Sequence, residues 1–170
     1  MVLVPVILIV LMKLHAQTCS MSGLSKNVLY SGLGLGSYYY DAFGELCPFE
    51  TVQYPENLGI ASCESYFTGP NQIPLKDHSS NNLIAIDNTL LQEPGGREKF
   101  CGKRVIVRYN GVLINQVFVV WDGCTACLDG ARLDFSRSAL VDIDPEACNL
   151  GLLQGISWNV IDEQVMEFVH

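Results

Sequence analysis

Three groups of residues in this 170-residue chain have types and spacings that could do chemistry. Cys124-Thr-Ala-Cys127 has the two-residue gap of a zinc-ligand pair or of a thioredoxin-type redox motif. Gly32-Leu-Gly-Leu-Gly36 has the glycine spacing with which a loop can approach a phosphate. Tyr38, Tyr39 and Tyr40 place three rings in a row; on a strand, Tyr38 and Tyr40 would share one face and Tyr39 the other. The first two groups have plainer readings. A single Cys-x-x-Cys pair with no histidine nearby fits a structural bridge beside a tight loop. The glycine run leads into tyrosines rather than a helix pattern, so its glycines are expected to let a strand pack closely or bend. His15, His78 and His170 are too scattered to form a relay or a metal site, and neither a metal nor a cofactor is expected.

The elements that must position these residues are mostly short strands. Residues 104–109 and 112–121 are β-branched runs separated by Asn110-Gly111, the strongest short-range hairpin signal, because both turn residues need positive φ. Residues 37–40, 83–86 and 156–161 read as further strands. Ser136 can cap a short helix over 137–141. Residues 66–82 and 92–99, rich in Gly, Pro, Ser and Asn, read as surface loops. No repeat or linker divides the chain. These features predict an all-β domain with one or two short helices, closed or nearly closed on itself.

Composition and compartment narrow the function classes. Hydrophobic residues make up 49% and charged ones 16%, enough apolar material for one core. The net charge of −8 repels a phosphate backbone, so nucleic acid is not an expected partner. Residues 2–12 form an apolar run too short to cross a bilayer, which takes about twenty. With Ala16 after it, the run reads as a secretory signal over 1–16, and no membrane partner is expected. In an oxidising compartment Cys19, Cys47, Cys63, Cys101, Cys124, Cys127 and Cys148 read as disulfide partners, predicting three bridges and one odd thiol.

The order of motifs resembles a known family. Gly36-Ser-Tyr-Tyr-Tyr-Asp41, Cys47, Ile84-Ala-Ile86, Cys101-Gly102, Val119-Val-Trp-Asp-Gly-Cys124, Leu133-Asp-Phe-Ser136 and Ile156-Ser-Trp158 follow the sequence of the rare-lipoprotein-A-like double-psi β-barrel group. That group is kin to expansins, loosenins, barwin and family-45 endoglucanases. The resemblance implies a six-stranded double-psi β-barrel over 32–162, after an extension over 17–31 and before a tail over 163–170. It also implies an open groove and a Cys47–Cys101 bridge.

By the same resemblance Asp134 is the groove aspartate, with Asp41 as a possible second carboxylate. Tyr38, Tyr39 and Tyr40, or else Trp121, would stack on sugar rings, and Asp122 would hold a loop or line the groove. The alternative for Asp134 is a strand-end carboxylate capping the helix that starts after Ser136. Where expansins carry His-Phe-Asp, this chain has Arg132-Leu133-Asp134. An arginine on the same strand face is expected to keep Asp134 ionised and make it a poor acid. The implied function is non-hydrolytic binding or loosening of a cell-wall polysaccharide outside the cell. The alternatives are a glycoside hydrolase or lytic transglycosylase with Asp134 as acid and Asp41 as base, and a protease inhibitor or effector with a secreted protein target.

Overall fold

A computed structural model describes residues 26–41, 59–78 and 80–165. The expected leader over 1–16, Cys19, Cys47 and the end of the tail lie outside the described residues. The strands are β1 (Val28–Tyr40), β2 (Leu83–Asp87), β3 (Lys103–Tyr109), β4 (Val112–Leu113), β5 (Phe118–Cys124), β6 (Arg132–Ser136) and β7 (Leu152–Gln164). The helices are short: α1 (Glu64–Thr68), α2 (Asn88–Gln92), α3 (Gly96–Phe100), α4 (Arg137–Ile143) and α5 (Ala147–Leu150). β1 begins ahead of the expected boundary at Gly32, and β7 runs past the one at Asp162.

The strands run in the order β3-β5-β2-β6-β1-β7, and β7 pairs back onto β3 to close a six-stranded barrel. β5–β2 and β6–β1 are parallel, while β2–β6 and β3–β7 are antiparallel. The pairing pattern therefore reads the same outward in both directions from the β2–β6 contact. This internal twofold pattern is the double-psi barrel arrangement.

Two apolar layers fix it. Inside the barrel, Ile84, Ile86, Val105, Val107, Phe118, Val120, Leu133, Phe135, Ile156, Trp158 and Val160 alternate inward along their strands. A second cluster of Tyr40, Ala61, Leu75, Leu83, Val119 and Trp121 packs outside β2 and β5. These two strands are buried on both faces, which accounts for their nearly unbroken apolar sequence.

The expected hairpin forms, with Asn110 at φ 49° and Gly111 at φ 81°. Its second strand is not continuous, because the ladder breaks between β4 and β5 around Asn115-Gln116, the only polar pair in that run. Ser136 caps α4 as expected, its hydroxyl accepting from the Ala139 amide at 3.0 Å.

The two expected surface loops are corrected. Residues 92–99 turn through Gly95 into α3. Within 66–82, Leu75 and His78 are buried against Trp121. Glu64 at the start of α1 holds that cover down: it lies 2.7 Å from His78 Nε2 and accepts from Trp121 Nε1 at 3.1 Å.

The disulfide expectation is met in kind and corrected in pairing. Cys101 bonds Cys63, not Cys47, because α1 starts against the head of β3 with a Cα–Cα distance of 5.4 Å. Cys124 bonds Cys127. Cys148 is disulfide-bonded as well.

Candidate functional site

Strand register assembles the site. Ala85 in β2 is the register partner of Asp122 in β5 on one side and of Asp134 in β6 on the other. Asp134 is in turn the partner of Ser37 in β1. Asp122, Ala85, Asp134 and Ser37 thus form one row across four adjacent strands. With strands about 4.8 Å apart, the two aspartates stand roughly 10 Å apart at the backbone. Bulges set this row: a register shift between Ile84 and Ala85 brings Asp122, rather than Trp121, opposite Ala85.

Asp134 is half-buried, and the Ser37 hydroxyl donates to its Oδ1. Its carboxyl is pushed above the usual range, chiefly by burial and further by the Asp122 charge; Ser37 and Arg132 pull the other way. Arg132 does pull the carboxyl down as expected, but burial outweighs it. The capping alternative for Asp134 is not what forms, since Ser136 itself caps α4.

Asp122 accepts from the Ser62 amide at 2.8 Å and from the Gly123 amide at 2.7 Å, both at Oδ1. Burial raises its carboxyl as well, against these two amides. It both pins the 59–63 segment and faces the row.

Asp41 is placed differently. It is 5% exposed, and the Ser138 hydroxyl donates to it from 2.8 and 2.9 Å. It follows Tyr40, whose partner is Ser136, while Asp134 pairs at Ser37. Those two register positions are three residues apart on β1, roughly 10 Å, and two apart on β6, and Asp41 lies one residue further on.

The tyrosines depart from simple alternation. A bulge between Tyr38 and Tyr40 turns Tyr39 and Tyr40 to the same side, with ring centroids 4.8 Å apart. Tyr39 packs against Ala85 and the Cys124–Cys127 bridge. Its buried hydroxyl makes no hydrogen bond, and its ionisation is pushed far up by burial, then by the nearby Asp122, Tyr40 and Asp134.

Tyr40 belongs to the outer core, where its hydroxyl donates to Ser80 O at 3.0 Å and accepts from the Leu83 amide at 2.9 Å. Tyr38 packs on the inner core with the Arg137 guanidinium over its ring. Trp121 is corrected as a stacking platform. It is fully buried, lies parallel to Phe67 at 5.0 Å, and exposes no ring face to a sugar.

The sulfur atoms of Cys124 and Cys127 and a carboxylate oxygen of Asp134 lie within 4.8 Å of one another. Bonded to each other, the two sulfurs are not free to act as thiolate ligands. Ser37 is the residue that sequence reasoning missed. It lies inside the quoted tyrosine motif, but only the β1–β6 register shows that its hydroxyl meets Asp134.

No protein-family model matches the chain, and no curated protein matches it in sequence. Among solved structures it is similar to the Streptomyces papain inhibitor, with 25% identity and a TM-score of 0.50 over 79% of this chain and 96% of that one. It is also similar to a Clavibacter michiganensis expansin, solved alone and, as a mutant, in complex with cellohexaose. There the identity is 17% and the TM-score 0.47, over 80% of this chain and 53% of the expansin, about half its length.

Proposed function

We propose that the chain is a secreted module that binds a cell-wall polysaccharide without cleaving it. The observation that carries this reading is the row Asp122, Ala85, Asp134 and Ser37, which sets carboxylates and a hydroxyl in line across four strands. Such a row can hydrogen-bond successive sugar hydroxyls, and carboxylates are the strongest neutral-pH acceptors for them. The unbonded Tyr39 hydroxyl beside the two aspartates adds a donor whose buried state is costly unless a partner arrives.

Hydrolysis needs a second carboxylate free to serve as base or nucleophile. Asp41 is engaged with Ser138, and Asp122 is engaged with two backbone amides. Asp134 has the raised carboxyl of an acid, and so does Asp122, but Asp122 is taken up in holding the Ser62 and Gly123 amides. Disulfides and the leader pattern support an extracellular location.

The test is a pull-down of purified protein on cellulose, chitin, peptidoglycan and pectin, with reducing ends assayed in parallel. Asp134→Asn should weaken binding about ten- to a hundredfold, as loss of a charge-assisted hydrogen bond does. Sustained release of reducing ends that Asp134→Asn abolishes would replace this reading with an enzyme.

A second reading, a protein-binding inhibitor, is favoured by the likeness to the papain inhibitor over 96% of that chain. Dose-dependent inhibition of papain by the wild-type protein, unaffected by Asp134→Asn, would support it instead.

A further inference from the structure

A cavity of about 790 Å³ opens beside the row, where β7 begins. Its edge is continuous with the row: Leu152, which lines the cavity, is the register partner of Ser37, and Ser37 bonds Asp134. The volume falls within the range of small-ligand sites.

The lining has three components. Tyr109, Leu150 and Leu152 supply an aromatic and aliphatic wall, and Leu150 is 62% exposed although apolar. Asn110 and Gln154 add side-chain amides able to donate and accept. Among the described residues that line it, Asp144 and Glu146 are the only acidic ones, and no Lys, Arg or His joins them.

Asp144 is fixed in place. Its Oδ2 accepts from the Tyr109 hydroxyl at 2.8 Å and its Oδ1 from the Glu146 amide at 2.9 Å. Those two bonds hold its carboxyl below the ordinary range, so it is ionised at neutral pH. A neutral sugar would find an aromatic wall and amides here, whereas an ammonium could pair with the two carboxylates as well. A chain with a net charge of −8 adds a long-range pull on cations.

We infer that the glycan bound along the row carries free amino groups, and that this cavity receives one amino-sugar residue, its ammonium against Asp144 and Glu146 and its ring against Tyr109. The inference rests on the polysaccharide reading above and specifies the glycan class. A basic protein side chain could satisfy the carboxylates too. The amides and the continuity with the hydroxyl-binding row favour a sugar.

The experiment titrates the full protein with three soluble hexamers: glucosamine, N-acetylglucosamine and glucose. The glucosamine hexamer should bind about five- to tenfold tighter than the other two, the scale of one or two partly screened ion pairs. Raising the salt should erase that preference. Glu146→Gln and Asp144→Asn should each reduce the ratio of glucosamine-hexamer to glucose-hexamer affinity. Asp134→Asn should weaken all three alike.

Equal binding of the three hexamers, or a preference that survives in both cavity variants, would overturn the amino-sugar inference and leave the polysaccharide reading standing. Failure of every hexamer to bind would remove that reading itself. Capture of a lysine-rich peptide in place of any hexamer, lost in Asp144→Asn, would overturn the inference in favour of a protein ligand. Thermal melts of each variant separate loss of binding from loss of fold.

Discussion

Burial, and further the Asp122 charge, raise the Asp134 carboxyl, and this has a definite consequence for stability. Its folded-state carboxyl titrates above the unfolded value, so the folded chain takes up that proton at higher pH. The stability penalty is therefore full above the raised folded value, shrinks as pH falls through it, and is gone below the unfolded value. Asp134→Asn imitates the protonated form and still offers Ser37 an acceptor. The variant should melt higher than wild type at neutral pH, with the gap closing on acidification. Melting curves across a pH series check this, and a variant that melts lower at neutral pH would contradict it. Asp134 itself was legible as a candidate from its motif. Its two determining neighbours were not, because Ser37 and Asp122 are distant in sequence and meet it only through strand order. Trp121 misled for a related reason: an aromatic at a strand end looks the same in sequence whether solvent or a second layer lies over it.

At the scale of elements, β1 shows what the glycine run is for. A Cβ on Gly32 would stand 2.0 Å from the Trp158 ring, and one on Gly34 would stand 2.1 Å from the Ala131 carbonyl oxygen. These are close approaches of ring and backbone, which the expectation of tight strand packing had anticipated. Gly34→Ala should destabilise by about 1–3 kcal/mol through overpacking against backbone that cannot move aside. Leu33→Ala, next door with its side chain 73% exposed, should cost little. Urea midpoints of the two variants make the comparison, and equal midpoints would refute it. The hairpin turn and the α4 cap were legible because each depends on two to four adjacent residues. The bulges were not, because a bulge arises from the mismatch between two strands far apart in the chain. The bulge at Tyr38–Tyr40 decides which tyrosine faces Asp134.

For the whole molecule, the barrel architecture was legible from the order of its motifs, whereas the cover over Trp121 was not. Residues 66–82 have the composition of a solvent loop, and burial of Leu75 and His78 follows only once Glu64 and Trp121 are there to receive them. The two bridges within the described residues hold the molecule unequally. Cys63–Cys101 closes a separation of 38 residues and Cys124–Cys127 one of 3. On chain entropy alone the first should contribute about 4 kcal/mol and the second about 2. Paired Cys→Ala replacement at 63 and 101 should therefore lower the guanidinium midpoint further than replacement at 124 and 127. The reverse order would show that the short bridge carries the structure.

Closure of the barrel also governs its birth. Among the described strands β1 leaves the ribosome first, yet both of its partners, β6 and β7, are the last to be made. Ser37 waits for Asp134 across 97 residues, and Ser31 waits for Asn159 across 128. Until then β1 is a lone ribbon with open edges, the state most prone to pairing with the wrong neighbour. Such long-range closure places folding on the slow, millisecond-to-second side of the scale for small domains. The candidate row needs β5, β2, β6 and β1 together, so it cannot form before β6 has been made, and the barrel around it closes only when β7 follows.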